Sequence, residues 1–539
     1  MDKKKRNILI PIVLLIGIIA IIGVSYALWS LNLTQQGQND IASSCFNITF
    51  TDKDNISLQK AYPILDEDGK KLTPYEFTIT NTCDSYASFN VNLEVLNTTT
   101  LTNNDAVKVM ISSKTGDTET EITTSLLSSY QTTTKTLDNA QTAFNLTTGY
   151  LNAKESKTYT LRLWLDENVD MNTKGVQNTK FSSKVVVTTS YAKEIPKSAS
   201  ETITTLVSGA NTSSTDVYTV PNKTSDSCTY TLAYDGTTDN NLRYVGANPC
   251  NYVKIDNEYW RIIGVMNNID DGTGKKETRI KLIRNESIGT YSWDSSESSV
   301  NGGYGVNEWS QADLMKLLNP GFESESVGGS LYYNNSSKNC YSSNNNGTKA
   351  CDFTSSGIKT NLKNLVGNTL WNTGSNDGVT YTYKNIITNK FYELERSSNN
   401  GKICESDSYC NDTVTRTTTW NGKIGLIYPS DYGYATSGGS TSTRTSCLNK
   451  ELYNWDSSSY SDCKNNDWLL DSIDWQWTIS PLAFSPGSYG VFGIYAVGSV
   501  DGRDARYAGL VRPSVYLISK TSILGGEGTE TNPYILLGN

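Results

Sequence analysis

The sequence contains no histidine. That absence excludes a Ser-His-Asp or Cys-His nucleophile and a zinc site of the HExxH type. It also removes the usual general base near neutral pH, leaving carboxylate or lysine chemistry. No CxxC pair occurs among the ten cysteines, which disfavours zinc ribbons and thioredoxin-type redox sites. Charge is scarce too, at 19% of residues, with a mean hydropathy of −0.43. Long charged helices suit that balance poorly, whereas short strands with polar loops on an extracellular surface suit it well. The run Gly525-Gly-Glu-Gly528 is followed by no Lys-Ser/Thr and so is no phosphate loop; a turn suffices. No spacing brings two acids together as glycoside hydrolysis requires.

The 539 residues are too many for one core, and three or so folded units is the expectation. Net charge is −9, and −12 without the first seven residues, which hold four basic side chains and one acidic. An acidic chain repels phosphate backbones, so nucleic acid is not the expected partner.

The cysteines fall into neighbours: Cys45 and Cys83, Cys228 and Cys250, Cys340 and Cys351, Cys404 and Cys410, Cys447 and Cys463. An even number behind an export segment implies disulfides outside the cytosol, and nearest-neighbour pairing keeps each bridge inside one unit. Spacing alone leaves other connectivities open.

Residues 1–29 are that export segment. A basic MDKKKRN precedes the apolar run Ile8–Trp29, which as a helix rises about 33 Å, enough to cross a bilayer core. The lysines place its C-terminal side outside. Ser25-Tyr26-Ala27 also fits a cleavage site, so a membrane anchor and a removed signal peptide both remain open. Residues 30–192 alternate apolar and polar positions at Phe46–Phe50, Tyr75–Ile79, Phe89–Val95, Tyr159–Leu165 and Lys184–Tyr191, which implies a β-sandwich. Residues 193–226 are Ser/Thr-rich and are expected to form a flexible linker; Ile203–Leu206 could instead form a short helix. From residue 227 to 539 the pattern becomes α+β. Tyr252–Val265 is a hairpin turning at Asp256-Asn257, and Thr278–Ile283 is the next strand. Helices are expected at Gln311–Leu318, Ile358–Trp371, Asn385–Arg396 and Cys447–Trp455, with a strand running into a turn over Gly422–Tyr434. Asp270-Asp271-Gly272-Thr273-Gly274 could hold Ca2+ but lacks the ligand spacing of an EF-hand; a plain turn accounts for it, and no cofactor is implied.

The last stretch, Trp468–Asn539, carries the strongest functional signal. Two strand-like runs, Gly490–Val500 and Leu510–Ile518, flank the polar segment Asp501–Tyr507. A rigid frame holding one polar loop is a display device. The alternative is a solvated hairpin loop, with Trp475 and Trp477 in the core.

Two resemblances add to this. The hydrophobic segment ending GVSYALWS, with Cys45–Phe50 (CFNITF) and Phe77–Thr82 (FTITNT), resembles the camelysin/TasA-type secreted β-sandwiches of Gram-positive bacteria. That family includes proteases and fibre formers; without histidine, the zinc-peptidase role does not carry over. The set Tyr259–Ile263 (YWRII), Gly425–Tyr434 (GLIYPSDYGY), Val491–Ile494 (VFGI), Val511–Leu517 (VRPSVYL) and Gly525–Tyr534 resembles surface proteins of Firmicutes and gut bacteria with a C-type-lectin-like fold. Similar ends occur in retroelement-diversified receptors and in the formylglycine-generating-enzyme superfamily. The resemblance implies a ligand face at Tyr489, Tyr495, Ser499, Asp501, Arg503, Asp504, Arg506 and Tyr507, flanked by Trp475 and Trp477, with Arg512-Pro513 structural. The expectation is therefore a mainly β, non-catalytic protein of the cell surface, anchored or secreted, binding an extracellular protein or glycan. A fibre or matrix subunit is the alternative, and an enzyme using Cys447 and Cys463 is the minor one.

Overall fold

In the computed structural model the chain is mainly β, with 41% strand and 15% helix. Residues 32–33 and 62–537 are described, apart from 171–175, 177–178, 193–196, 213, 256–257, 296–302, 344–345, 375–382, 398–415, 458–459, 461, 471–473 and 485–486. The expected export helix Ile8–Trp29, the strand Phe46–Phe50 and Cys45, Cys404 and Cys410 lie outside the described residues. Among the described residues no helix is long and apolar enough to cross a membrane. The chain divides into two compact units at Ile195/Pro196.

The first unit contains Asn32–Leu33 (β1), Pro63–Ile64 (β2), Tyr75–Thr80 (β3), Tyr86–Leu96 (β4), Val107–Thr115 (β5), Thr118–Leu126 (β6), Gln131–Thr133 (β7), Ala140–Leu151 (β8), Ser156–Asp166 (β9) and Ser182–Ala192 (β10). One sheet runs β1-β10-β4-β8-β7. The other runs β2-β9-β5-β6, with β3 also on β9. Alternation decides which side chains turn inward: β3 buries Tyr75, Phe77 and Ile79 and leaves the residues between them half-buried. Both sheets feed one core, with Phe89, Val91 and Val187 from the first and Phe77, Val109 and Leu163 from the second. Tyr159 joins the layers, stacking 5.7 Å from Phe77 and meeting Phe89 edge-on at 5.9 Å. The buried Glu94 carboxylate accepts from the Thr136 N–H and hydroxyl and the Leu137 N–H, so its polar atoms are not left bare.

The second unit begins earlier than the sequence suggests. Residues 193–226 were expected as linker, yet Ala199–Thr205 is a helix (α1) with a full capping box between Ser198 and Glu201. Its Ala199 and Ile203 enter the core of the second unit, and that apolar pair outweighs the flexible Ser/Thr composition around it. Tyr218–Thr219 (β11) then opens the unit's larger sheet. It continues with Thr231–Tyr234 (β12), Leu242–Tyr244 (β13), Tyr252–Ile255 (β14), Glu258–Asp270 (β15) and Lys276–Arg284 (β16). Ile255 pairs with Glu258; Asp256 and Asn257, expected as the turn, lie outside the described residues. Thr290–Ser292 (β17) belongs to the smaller sheet. Two hairpins follow, Ser337–Tyr341 (β18) with Thr348–Asp352 (β19) and Thr369–Asn372 (β20) with Thr419–Gly422 (β21), and then Ile424–Gly425 (β22). The last strands are Gln476–Phe484 (β23), Gly487–Ile494 (β24), Val500–Asp504 (β25), Ala508–Leu510 (β26), Ser514–Tyr516 (β27), Ser522–Gly525 (β28) and Ile535–Leu537 (β29).

The larger sheet is ordered β11-β12-β13-β15-β16-β27-β22 with β14 on β15, and the smaller is β17-β26-β23-β24-β25. The unit's helices include Asp313–Leu318 (α2), Thr360–Leu365 (α3), Thr388–Glu395 (α4), Pro429–Tyr434 (α5) and Arg444–Leu448 (α6). Four of the expected elements change. The apolar spacing of Ile358–Trp371 divides into α3 and β20. Gly422–Tyr434 ends in a helix, not a turn. The helix expected over Cys447–Trp455 ends at Leu448. The helix expected over Gln311–Leu318 begins at Asp313, whose carboxylate accepts from the Ser295 N–H and hydroxyl.

The expected frame of two strands around a polar loop is also corrected. Val500–Asp504 is itself a strand, so only residues 505–507 form the turn. The run Leu510–Ile518 is shared between sheets: Leu510 closes β26 in the smaller and Ser514–Tyr516 forms β27 in the larger. Pro513 has no N–H to give a ladder, and the buried Arg512 donates to the Arg284 and Trp468 carbonyls, which fixes the crossover. Finally, the start and end of the unit meet. The Ala199 N–H donates to Thr521 O at 2.6 Å, Tyr252 N–H to Gly528 O at 2.8 Å, and Tyr534 N–H to Tyr252 O at 2.9 Å.

Candidate functional site

The smaller sheet carries the site on one face. Trp477 pairs with Gly493, Gly493 with Asp501, Val491 with Arg503, and Gln476 with Leu510. Period 2 therefore sets Trp475, Tyr495, Asp501, Arg503 and Gly509 on the same side. A Cβ at Gly509 would come within 2.6 Å of the Trp475 indole, and one at Gly493 within 3.2 Å. Both glycines clear the backbone so that the half-buried indole can lie against it. Tyr495 stacks beside this indole at 6.3 Å and 26°. The exposed Arg503 guanidinium sits 5.2 Å over the Tyr495 ring and 6.0 Å over Trp475. Burial pushes the Tyr495 phenol up to about 12, so it stays a neutral hydrogen-bonding group at physiological pH.

Asp501 borders this shelf. Its carboxylate accepts the Gly502 N–H at 2.7 Å and the Tyr383 hydroxyl. Tyr383 meets Tyr453 edge-on at 6.0 Å, and Lys384 Nζ lies 4.5 Å over Tyr453. These three residues enlarge the face and were not expected from sequence. They arrive from 48 to 118 positions upstream of Asp501, and no local period links them to it.

The ten expected contact residues divide. Trp475, Tyr495, Asp501 and Arg503 come together as described. Asp504, Arg506 and Tyr507 gather around Tyr304: Arg506 lies 4.0 Å over its ring and 5.4 Å over Tyr507, with Asp504 3.7 Å away. Burial raises the Asp504 carboxyl above its ordinary value. Three others are corrected to internal roles, because each is buried. Trp477 is 1% exposed and donates its Nε1–H to Tyr291 O. Tyr489 is stacked on Tyr304 at 4.7 Å. Ser499 is also buried, and its carbonyl closes a turn with the Tyr495 N–H.

A second group of charges lies inside the unit. Asp431 in α5 accepts Arg243 Nη1 at 2.5 Å and Lys281 Nζ at 2.6 Å, and Arg243 Nε reaches Asp235 at 3.1 Å. All four residues are buried. Burial draws Lys281 down to about 8. Burial would raise Asp431, but Lys281 and Arg243 hold it at about 2, so the pair is ionised at neutral pH. Tyr428, Tyr516 and Trp371 surround the ammonium at 4.1, 5.1 and 5.2 Å. Near it, buried Glu395 accepts the Ser430 N–H and hydroxyl, and burial raises its carboxyl to about 7. Two carboxylates against two cations, each hydrogen-bonded, tie α5 to β13 and β16.

Disulfides join Cys228–Cys250, Cys340–Cys351 and Cys447–Cys463, with Cα separations of 5.1, 5.8 and 5.4 Å; Cys83 is disulfide-bonded as well. Cys447 and Cys463 are both fully buried. At Asp270–Gly274, expected as a plain turn, Asp270 accepts the Gly272 and Gly274 N–H groups and pairs with Lys276 at 3.0 Å.

No family model and no curated protein matches the chain. Among solved structures, one match is to AvmM, described as catalysing macrocyclization in alchivemycin A biosynthesis. The identity is 12%, over 24% of this chain and 84% of that one, with a TM-score of 0.13; a likeness of this size carries no argument.

Proposed function

We propose that the protein is a non-catalytic surface protein, anchored or secreted through its first 29 residues, whose second unit is a C-type-lectin-like head displaying a ligand-binding face. The observation that carries the reading is the Trp475–Tyr495–Arg503 shelf. Large rigid rings lose little entropy on binding, and an exposed arginine over them, hydrogen-bonded to Tyr495, is held in place beside them. Tyr383 and Tyr453 extend the shelf with two further rings, a residue type enriched at binding surfaces, and Lys384 and Asp501 border it. The β-rich first unit serves as the stalk, and the three bridges suit an oxidising exterior.

Arrays of glycans and of extracellular proteins, probed with the purified chain, test the reading. Binding that falls at least tenfold in a Trp475→Ala, Tyr495→Ala double variant of unchanged melting temperature is the expected result. Binding that the double variant leaves intact rules out this face.

A further inference from the structure

Resting on the reading above, we infer that the ligand of this face is an acidic saccharide, and that Arg503 is the residue that selects its carboxylate. Arg503 is exposed, and among the described residues no carboxylate forms an ion pair with it. This sets it apart from its neighbour Arg506, which lies 3.7 Å from Asp504. Its guanidinium is nonetheless held in place, resting over Tyr495 and Trp475 at 5.2 and 6.0 Å. A fork of donors fixed on two rings matches a carboxylate in two-point geometry.

The neighbouring groups indicate what else the ligand carries. The Trp475 indole lies against the backbone at Gly493 and Gly509, offering one flat apolar plane on which a six-membered ring can rest. Asp501, within the same face, is an acceptor whose partners are the Gly502 N–H and the Tyr383 hydroxyl. Its remaining lone pairs suit hydroxyl donors. A ring with a flat apolar side, hydroxyls at its rim and one carboxylate satisfies all three features. An acidic peptide satisfies only Arg503, since a chain of acidic side chains offers neither a flat apolar ring face for Trp475 nor hydroxyl donors for Asp501.

The test is calorimetric titration of the full chain with four probes: trigalacturonate, the corresponding neutral galactose trimer, 3′-sialyllactose and lactose. At least one acidic probe is expected to bind about tenfold more tightly than its neutral partner, the worth of one charge-assisted contact. Arg503→Gln should remove that preference, bringing the acidic probe to the affinity of its neutral partner, and Arg503→Lys should keep part of it. Whether the uronate or the sialoside responds identifies which acidic sugar is read. Equal affinity for acidic and neutral probes, unaffected by Arg503→Gln, overturns the carboxylate assignment while the binding face stands. Binding of a poly-glutamate peptide, with no saccharide bound, overturns the saccharide class alone. No binding to any probe, together with failure of the Trp475/Tyr495 double variant to alter any array signal, overturns the face itself.

Discussion

Arg243 and Arg503 belong to the same unit and both lie over tyrosine rings, at 5.4 Å from Tyr434 and 5.2 Å from Tyr495. Their situations otherwise differ. Arg243 is buried and held by Asp235 and Asp431, whereas Arg503 is exposed over an aromatic shelf. A guanidinium in the interior must have carboxylates, because bare charge there is costly. At the surface, the Tyr495 and Trp475 rings and a hydrogen bond to Tyr495 are enough to position it, with no carboxylate needed. The same side chain is thus a fastener in one place and, on the proposal above, a reader in the other.

That contrast can be broken by substitution. Asp431→Ala strands two buried cations and should cost about 3–5 kcal/mol, measured by denaturant unfolding; a loss below about 1 kcal/mol would mean that water or another acid replaces it. Reduction of Cys447–Cys463, whose separation is 16 residues, should cost roughly 3 kcal/mol on the chain-entropy model, read as the unfolding midpoint of a Cys447→Ala, Cys463→Ala variant.

A pH titration sharpens the comparison within the buried group. Glu395 has a raised folded value of about 7, so its stabilising contribution is complete below its unfolded value near 4.5 and is lost as pH rises through 7. Asp431 has the opposite sign: its contribution is present above its unfolded value of 3.8 and is lost as pH falls toward 2. Melting temperature should therefore decline between pH 4.5 and 7 in the native protein. Glu395→Gln, which can keep both contacts to Ser430, should flatten that decline, a difference of up to about 3 kcal/mol. An unchanged profile would remove Glu395 as its cause. At the small end, Arg503→Ala should move stability by no more than about 0.5 kcal/mol; a larger loss would make Arg503 a fastener after all.

Sequence pattern revealed much of the first unit and little of the site. Tyr75–Ile79, Phe89–Val95, Tyr159–Leu165 and Lys184–Tyr191 all lie within strands, because each has one face in the core and alternation reports that directly. Strands β5 and β6 gave no such signal: Ser112 and Thr123 are buried polar residues, so alternation is blurred. In the second unit the smaller sheet is buried on both faces along Val491-Phe492, and period cannot say which side is outward. Trp475 and Trp477 illustrate the difficulty. They share a face, two residues apart, yet Tyr291 covers one and glycines bed the other. Arg512-Pro513 was expected to be structural, and it is where the chain changes sheets; what sequence could not show is that this change divides the final strand run.

The hydrogen bonds joining residues 199, 252, 521, 528 and 534 bring the entry and exit of the second unit side by side. An entry and exit this close would let the unit be spliced into a loop of an unrelated host without stretching it.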